Sequence, residues 1–427
     1  MSDNRIKAVI GTKDILPNES NDWIRLLSII SEAVSNYNYE LIQTPIFEAT
    51  ELFSRGIGET TDVVSKEMYT FTDKGERSLT LRPEGTAPVV RSYLEHSLGA
   101  SQALVKVWYA GPMFRQERPQ AGRQRQFHQF GMEALGSLDP ALDAEVISLS
   151  YRILVAAGIA DLELLINSVG MPEDRNRHKD ALQKFVTPQI DKFCEDCKIR
   201  FQKNPLRMFD CKNENCKALL EDAPDLYDYL SNDSQKHLEQ VIKYLELIKI
   251  PYIIDKRLVR GLDYYTRTAW EIKSKKLGAQ DSLGGGGRYD LLVEQLGGKP
   301  TPGIGFAGGL ERILLAMPKG ANASDRKDFG FYVITTDEKF KITAVKLTAH
   351  LRSLGAIADM DYLGRSFKAQ MKQADKSNLR FAIILAEQEM ANDKIALKDL
   401  EMSIQKEFPL NSIYNIENIK QLGELIE

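Results

Sequence analysis

Long apolar runs are absent from this chain of 427 residues. A helix that crosses a bilayer needs roughly 20 consecutive apolar residues. The longest candidate, residues 147–169, is interrupted by Arg152, Asp161 and Glu163. The first residues, Met-Ser-Asp-Asn-Arg-Ile-Lys, are polar and charged, unlike the start of a secretory signal. The sequence therefore predicts a cytoplasmic protein with no membrane partner.

An excess of basic residues is also absent. Lys and Arg number 56 against 60 Asp and Glu, which gives a net charge of −4. No global positive field indicates a nucleic-acid partner, so local features have to identify one. With 43% hydrophobic and 27% charged residues, the composition is typical of an ordinary globular protein. The length allows two or three domains.

Cysteine is scarce and confined to one stretch. The four cysteines form two pairs, Cys194-x2-Cys197 and Cys211-x4-Cys216. Two close pairs can fold onto one tetrahedral zinc ion. The alternative is a set of reduced cysteines left from a lost site, because the second spacing is loose. Both interpretations stay open, and any zinc would be structural because four thiolates leave no position for chemistry.

Hydrophobic periodicity outlines the elements of the first three quarters of the chain. It predicts an amphipathic helix over residues 21–37 and a strand over 39–46 that Pro45 interrupts. Short β-like runs occupy residues 78–135, with a helix over 86–95. Residues 172–256 become polar and helical, with helices over 180–192 and 234–248. Because a glycine-rich β pattern resumes at 258–317, residues 172–256 look like an insertion.

A weak linker at residues 318–327 precedes a different pattern. Strands predicted over 331–335, 356–362 and 380–386 alternate with helices over 340–354 and 366–375. This alternation predicts a small α/β domain with a largely parallel sheet. Such a domain alone does not define a ligand.

The densest chemical signal is a predicted hairpin with strands over residues 104–117 and 126–135. A period of two places Gln129, Gly131 and Glu133 on one face of the second strand. An amide, a gap and a carboxylate are not typical of a core face. Four arginines lie within eleven residues: Arg115, Arg118, Arg123 and Arg125. This density suits phosphate oxygens, although a solvated turn with Arg–Glu pairs explains some of it.

Glycine-rich segments give a second signal. Gly303, Gly305 and Gly308 fit the G-x-G-x-x-G pattern of dinucleotide-binding folds, but no hydrophobic strand precedes them. We therefore predict a strand that passes close to a ligand, followed by a helix from which Arg312 projects. Two further segments contain glycines whose backbone can approach a ligand closely. They are Leu-Val-Arg-Gly-Leu-Asp-Tyr-Tyr at 258–265 and Ser-Leu-Gly-Gly-Gly-Gly-Arg-Tyr-Asp at 282–290.

Together these segments resemble the class II aminoacyl-tRNA synthetases, and specifically the histidyl-tRNA synthetase family. The most specific matches are Leu-Arg-Pro-Glu-Gly-Thr at 81–86, Arg-Pro-Gln-x-Gly-Arg-x-Arg-Gln-Phe-His-Gln at 118–129, and the segment at 258–265. The three general class II motifs match residues 21–47, the hairpin from residue 114, and the glycine-rich strand and helix that end in Arg312. The resemblance covers nearly the whole chain, from residue 11 onward.

The resemblance implies a fold and its divisions. The catalytic domain would be α+β, built on a mixed, mainly antiparallel sheet, in two parts at residues 1–171 and 257–318. A mainly helical insertion would occupy 172–256, and an α/β anticodon-binding domain would occupy 328–427. The family's first motif lies at a dimer interface, which implies a homodimer.

The resemblance also implies roles for individual residues. The histidine-binding residues would be Glu84, Gly85, Thr86, Gln129, Glu133, Tyr264 and Tyr265. A carboxylate and a phenol, Glu133 and Tyr264, can bind the two nitrogens of a neutral imidazole, while Glu84 holds the α-ammonium. The ATP-binding residues would be Arg115, Glu117, Arg123, Phe127 and Arg312. Arg260 and Arg115 would be catalytic at the α-phosphate, and Gln120 and Arg123 would touch the tRNA acceptor end.

The implied reaction joins three substrates. ATP would activate L-histidine to histidyl-adenylate, and the histidyl group would pass to the 3′ end of histidine tRNA. Mg²⁺ is implied by the family and not by any metal-ligand spacing here, so we assign no metal ligand. The main alternative is a non-catalytic, histidine-sensing regulatory paralogue of a phosphoribosyltransferase, which lacks the C-terminal domain. A second alternative is a histidine ligase that acts without tRNA.

Overall fold

The structure is a computed structural model that describes residues 6–58, 61, 63–120, 122–258, 262–318 and 328–417. The chain divides into two compact units, Met1–Pro318 and Lys319–Glu427. In the described residues, no helix is long and apolar enough to cross a membrane.

A large sheet forms the centre of the first unit. The strands of this unit are β1 (Glu40–Leu41), β2 (Phe47–Ala49), β3 (Tyr69–Thr72), β4 (Ser78–Leu81), β5 (Val105–Phe114), β6 (Gln126–Leu135), β7 (Leu162–Ser168), β8 (Ile253–Ile254), β9 (Thr266–Ser274), β10 (Ser282–Arg288) and β11 (Gly303–Gly309). Eight of the described strands form one sheet in the order β1-β5-β6-β11-β10-β9-β7-β8. Only its edge pairs, β1–β5 and β7–β8, are parallel. The predicted mixed, mainly antiparallel sheet is therefore confirmed.

Helices make up much of the rest of the first unit. They are α1 (Pro17–Asn36), α2 (Thr50–Ile57), α3 (Thr86–Glu95), α4 (Leu98–Ser101), α5 (Pro140–Ala156), α6 (Pro172–Val186), α7 (Glu195–Lys203), α8 (Glu214–Leu219), α9 (Asn232–Leu247), α10 (Leu292–Gln295) and α11 (Leu310–Ala316). The predicted first helix is present as α1, with Pro17 in its first turn. Its buried residues Leu26, Ile30 and Val34 recur every four positions, which makes one apolar face.

The strand predicted over residues 39–46 is much shorter in the structure. Only Glu40–Leu41 pairs with β5, and the chain then forms β2, which pairs with β4 in a separate sheet of the order β2-β4-β3. Pro45 has no backbone N–H to donate to a strand ladder, so it separates these two short strands.

Apolar side chains pack on both faces of the large sheet. Phe130 and Met132 of β6 lie in a core with α1, α5 and α9. Val107 and Tyr109 of β5 lie in a second core with α2 and α3. A third, smaller core spans residues 182–223, inside the predicted insertion. The last helix of that insertion, α9, packs instead in the first core.

The second unit is built on its own sheet. Its elements are β12 (Asp328–Thr335), α12 (Lys341–Ser353), β13 (Ile357–Met360), α13 (Phe367–Lys376), β14 (Leu379–Leu385), α14 (Glu387–Met390), β15 (Lys394–Asp399), β16 (Gln405–Pro409) and α15 (Leu410–Tyr414). The predicted strands β12, β13 and β14 are parallel. The strands β15 and β16, which were not predicted, extend the sheet antiparallel in the order β13-β12-β14-β15-β16. The sheet is therefore mixed, and the expectation of a largely parallel one needs this correction.

Candidate active site

A cavity of about 360 Å³ lies against strands β6, β9, β10 and β11. The predicted site residues that line it are Glu84, Thr86, Arg115, Glu117, Arg123, Phe127, Gln129, Tyr264, Tyr265 and Arg312. Three separate sequence segments and the glycine-rich strand thus meet in one place. Gly85 and Glu133 lie immediately behind the wall, and Gln120 lies in an exposed turn beside it. Arg260 lies outside the described residues.

Glu84 holds the start of α3 at the wall of the cavity. Its carboxylate accepts hydrogen bonds from the backbone N–H groups of Thr86 (2.7 Å) and Ala87 (2.8 Å). These N–H groups have no partner inside the helix, so the carboxylate satisfies them. Burial raises the pKa of Glu84. Gly85 is required here because a Cβ at this position would lie 2.3 Å from the Tyr109 ring.

Glu133 is fully enclosed behind this wall. Its carboxyl accepts hydrogen bonds from the Thr86 hydroxyl (2.7 Å) and the Tyr289 hydroxyl (2.6 Å). A Cβ at position 305 would lie 1.7 Å from Glu133 Oε2, so the glycine of β11 makes room for the carboxyl. Burial raises the pKa of Glu133 from its ordinary value of 4.5 to about 8. This group can therefore hold or release a proton near neutral pH.

Three tyrosines form an aromatic wall at this end of the cavity. The rings of Tyr264 and Tyr265 lie 4.8 Å apart, and those of Tyr264 and Tyr289 lie 5.9 Å apart. Burial raises the pKa of Tyr264 well above its ordinary value, so its phenol stays protonated. This end therefore combines phenol groups with a carboxyl that titrates near neutral pH.

Tyr109 and Tyr289 are two further residues of the site that were not predicted from the sequence. Tyr289 belongs to the glycine-rich segment at 282–290, and that segment was the one sequence feature that could have indicated it. Tyr109 fits between Gly85 and Gly131, since a Cβ on either glycine would lie 2.3 Å from its ring. Its hydroxyl donates to Glu133 at 3.4 Å. Both tyrosines thus position the Glu133 carboxyl.

Gln129 has an unsatisfied oxygen. In the part of the chain that the structure describes, its buried Oε1 atom has no hydrogen-bond partner. Leaving a buried acceptor unpaired costs about 1–3 kcal/mol, so the site favours a ligand with an N–H or ammonium donor. The predicted sorting of β6 is also confirmed, since Gln129 lines the cavity while Phe130 and Met132 are fully buried.

The opposite end of the cavity is basic. The Arg115 guanidinium donates to the Pro83 carbonyl (2.9 Å) and lies 5.3 Å from the centre of the Phe127 ring. Arg312, on α11 after the glycine-rich strand, donates to the carbonyls of Gly122 (3.2 Å) and Ser282 (2.6 Å). Burial, followed by the charge of Arg123, lowers the pKa of Arg312. These contacts fix two guanidinium groups before any anion binds.

A turn in the β5–β6 hairpin lies at the basic end. Gln120 and Arg123 exchange two backbone hydrogen bonds of 3.0 and 2.9 Å. Both residues are exposed, and the Arg123 side chain pairs with Glu117 at 3.1 Å. The cavity therefore joins a basic, partly open end to a buried acid–phenol end, an arrangement that suits a polyanion beside a small polar molecule.

Two family models match this chain, one in each unit. The model of the family described as histidyl-tRNA synthetase matches residues 11–313, and that of the anticodon binding domain matches residues 330–418. The chain belongs to the histidyl-tRNA synthetase family. The predicted resemblance is therefore confirmed for the catalytic part of the chain and for its C-terminal domain.

Individual relatives of this synthetase family match over almost their full length. The histidine–tRNA ligase of Halothermothrix orenii is 51% identical over 98% of this chain and 99% of its own. That of Natranaerobius thermophilus is also 51% identical, over 98% of this chain and 99% of its own. The apo crystal structure of S. aureus histidyl-tRNA synthetase superimposes with a TM-score of 0.79 at 40% identity, covering 96% of this chain and 98% of that chain.

Proposed function

We propose that this protein activates L-histidine with ATP to histidyl-adenylate and transfers the histidyl group to the 3′ end of histidine tRNA. The observation that carries the proposal is the single cavity that joins an acid–phenol end to fixed arginines. Membership of the histidyl-tRNA synthetase family supplies the reaction that such a cavity serves.

The acid–phenol end binds histidine. We assign the two imidazole nitrogens to Glu133 and Tyr264, because an imidazole offers one donor and one acceptor when neutral. Glu133 lies behind Thr86 and Tyr289, so its carboxyl has to exchange one of these hydroxyl partners for the ligand. Glu84 and Gln129 receive the α-ammonium, which gives the unpaired Gln129 oxygen a donor. Tyr265, Gly85 and Thr86 complete the pocket around the ligand.

The basic end binds ATP. Phe127 stacks on the adenine, Arg115 contacts the α-phosphate, and Arg312 contacts the distal phosphates. Glu117 and Arg123, which pair with each other, complete this end. The histidine carboxylate attacks the α-phosphorus in line and pyrophosphate leaves, so negative charge grows on the equatorial oxygens. The guanidinium groups of Arg115 and Arg260 stabilise that charge.

Mg²⁺ fits the same end of the cavity. It binds through one or two carboxylates together with phosphate oxygens and water, and does not need a cage of protein ligands. The carboxylates of Glu117 and Glu271 line the cavity beside Arg312, so they would hold such an ion. When bound, the ion would neutralise part of the phosphate charge.

The tRNA contacts divide between the two units. The exposed turn at Gln120 and Arg123 is assigned to the acceptor end, because it lies at the open side of the cavity. Residues 328–427 are assigned to the anticodon. Single-stranded anticodon bases are recognised by edge hydrogen bonds and stacking, which a small α/β domain can provide.

A homodimer in the cytoplasm is the form that we propose for the protein. The segment that matches the family's interface motif exposes four large apolar side chains, Ile24 (65%), Leu41 (56%), Ile46 (44%) and Phe47 (53%). Apolar groups at this exposure in one segment suit an interface. Light scattering after gel filtration should give the mass of two chains, and a single-chain mass would contradict the assignment.

The decisive experiment measures both half-reactions on one preparation. We expect histidine-dependent exchange between ATP and pyrophosphate, followed by charging of histidine tRNA. Exchange without charging would contradict the tRNA assignment. A folded protein that binds histidine without exchange would instead match the regulatory paralogue.

The arginine assignments have their own test. Arg115→Ala and Arg260→Ala should each slow exchange by about 10²–10³-fold, since each removes a donor to the charge that develops on phosphorus. Histidine binding, measured by calorimetry, should be nearly unchanged. Arg118→Ala, on the exposed part of the same hairpin, is the control. Equal loss of histidine binding would show that the arginine contacts histidine instead.

A further inference from the structure

The four cysteines, two close pairs in one stretch of the sequence, come together in the structure. Their Sγ atoms all lie within 4.8 Å of one another, and those of Cys194 and Cys211 are 3.8 Å apart. Cys197 and Cys216 are fully buried, and Cys211 is nearly so. All four are free thiols. The proposed aminoacylation reaction uses none of them.

The backbone around the cluster presents the sulfurs to a common centre. Cys194 precedes α7 and Cys197 lies in its first turn, whereas Cys211 and Cys216 flank the start of α8. Backbone N–H groups of Cys194 and Asn213 donate to the sulfurs of Cys216 (3.3 Å) and Cys211 (3.5 Å). Hydrogen bonds of this kind orient sulfur ligands around a metal.

We propose that Cys194, Cys197, Cys211 and Cys216 bind one structural zinc ion. Zinc–sulfur bonds of about 2.3 Å in a tetrahedron place the sulfurs about 3.8 Å apart, which matches the convergence of these four. A pair of disulfides would not require all four sulfurs to share one centre. Soft thiolates favour zinc over magnesium or calcium. With four protein ligands, the ion has no open position for catalysis.

The ion would stabilise a part of the chain that has little other support. The core at residues 182–223 is small and is surrounded by short helices without a sheet. Small modules of this kind commonly need a metal or disulfides. Phe209 and the Glu221 carbonyl, which belong to this module, contact the Arg257 guanidinium. Zinc would thereby also order the chain that enters the segment at 258–265.

Metal analysis of the full-length protein tests the proposal, and its outcome does not depend on the proposed aminoacylation. Protein expressed with zinc and purified without chelator should contain about one zinc per chain. The cluster contains all four cysteines of the chain, so every thiol reports on it. A thiol reagent should react slowly until a chelator removes the metal, and all four thiols should then appear together with zinc release. The apparent melting temperature should fall by more than about 5 °C.

Matched variants locate the ligands. Cys197→Ser and Cys216→Ser should each lower the zinc content to below about 0.1 per chain, because loss of one thiolate weakens a tetrahedral site. Ala218→Ser, at an exposed position of α8, should keep a full complement. If the cysteine variants fail to fold, the chelator experiment on the natural chain still decides the question. Metal-free protein with four reactive thiols, two disulfides, or iron in place of zinc would each overturn the proposal.

Discussion

Glu133 links the chemistry of the cavity to pH. Its pKa in the folded chain is raised by burial to about 8, against an ordinary value of 4.5. A carboxyl with a raised folded pKa stabilises the fold fully below its unfolded pKa, and this contribution is lost as the pH rises to the folded value. The free energy of unfolding should therefore decline between about pH 5 and 8, by at most about 1.4 kcal/mol per unit.

Glu133→Gln should remove this slope, because the amide does not titrate and keeps a similar shape. Urea unfolding of both proteins across this pH range measures the difference. Glu239→Gln, an exposed position on α9, is the control and should keep the natural slope. If the slopes of natural protein and Glu133→Gln coincide, the carboxyl does not titrate in this range.

Gly305 tests how tightly the same carboxyl is held. A Cβ at this position would lie 1.7 Å from Glu133 Oε2, so Gly305→Ala has to displace the carboxyl from Tyr289 and Thr86. We expect histidine affinity to fall by about tenfold or more, equivalent to 1.4 kcal/mol. Calorimetric titration with histidine measures it. Gly56→Ala should bind normally, since its Cβ would make only ordinary contacts of 3.5 Å. Unchanged affinity in Gly305→Ala would mean that Glu133 is free to move.

Three elements around the large sheet are joined by a buried ion cluster. Arg288 at the end of β10 and Asp143 on α5 are both fully buried and lie 2.8 Å apart. His237 on α9 contacts the same carboxylate at 2.8 Å. Burial alone would raise the pKa of Asp143, but Arg288 and His237 outweigh it and lower the pKa. The cluster therefore connects the strand to two helices on the same side.

Asp143→Asn should destabilise the first unit by about 1–3 kcal/mol, because it removes one of the two carboxylates that pair with the buried Arg288 guanidinium and leaves Asp290 at 2.9 Å. Arg288→Met combined with Asp143→Asn should cost less than the sum of the two single changes, with a coupling of about 0.5–3 kcal/mol. Urea unfolding of the four proteins completes the cycle. Strict additivity would show that the two charges do not support each other.

Local sequence patterns correctly predicted those helices and strands whose own residues show a clear hydrophobic period. The bounds of α3 and β6 follow directly from the periodicity of their side chains. The sequence could not place partners that only the folded sheet brings together. Tyr289 and Glu133 are 156 residues apart, yet they share a hydrogen bond. The strands β15 and β16 were missed because neither alternates between buried and exposed residues: β15 buries Ile395, Ala396 and Leu397 in a row, and β16 is mostly exposed.

At the scale of the whole molecule, the candidate site was predicted from the resemblance to a family and not from hydrophobic periodicity. Glu84 illustrates the difference: its sequence context suggests only a loop before a helix, whereas the fold places it beside Tyr264 and Gln129 on one cavity wall. Net charge gave no indication of an RNA partner. Because the second unit has its own apolar core, with Phe331, Leu347 and Ile383, its contribution can be separated from that of the cavity.

The division into two units predicts which half-reaction each one supports. Every residue that lines the cavity belongs to Met1–Pro318. A chain ending at Pro318 should therefore keep histidine-dependent exchange within about tenfold of the natural rate. A tenfold change corresponds to about 1.4 kcal/mol of activation free energy, which allows for a small change in the geometry of the site. Charging efficiency, kcat/KM for histidine tRNA, should fall by at least about 10²-fold, because the anticodon contacts are lost while the acceptor contacts remain. Calorimetric unfolding of the fragment confirms that it is folded before the assays. If the folded fragment charges tRNA at the natural efficiency, residues 328–427 do not contribute to tRNA recognition; if it loses exchange as well, the second unit supports the cavity and not only the tRNA.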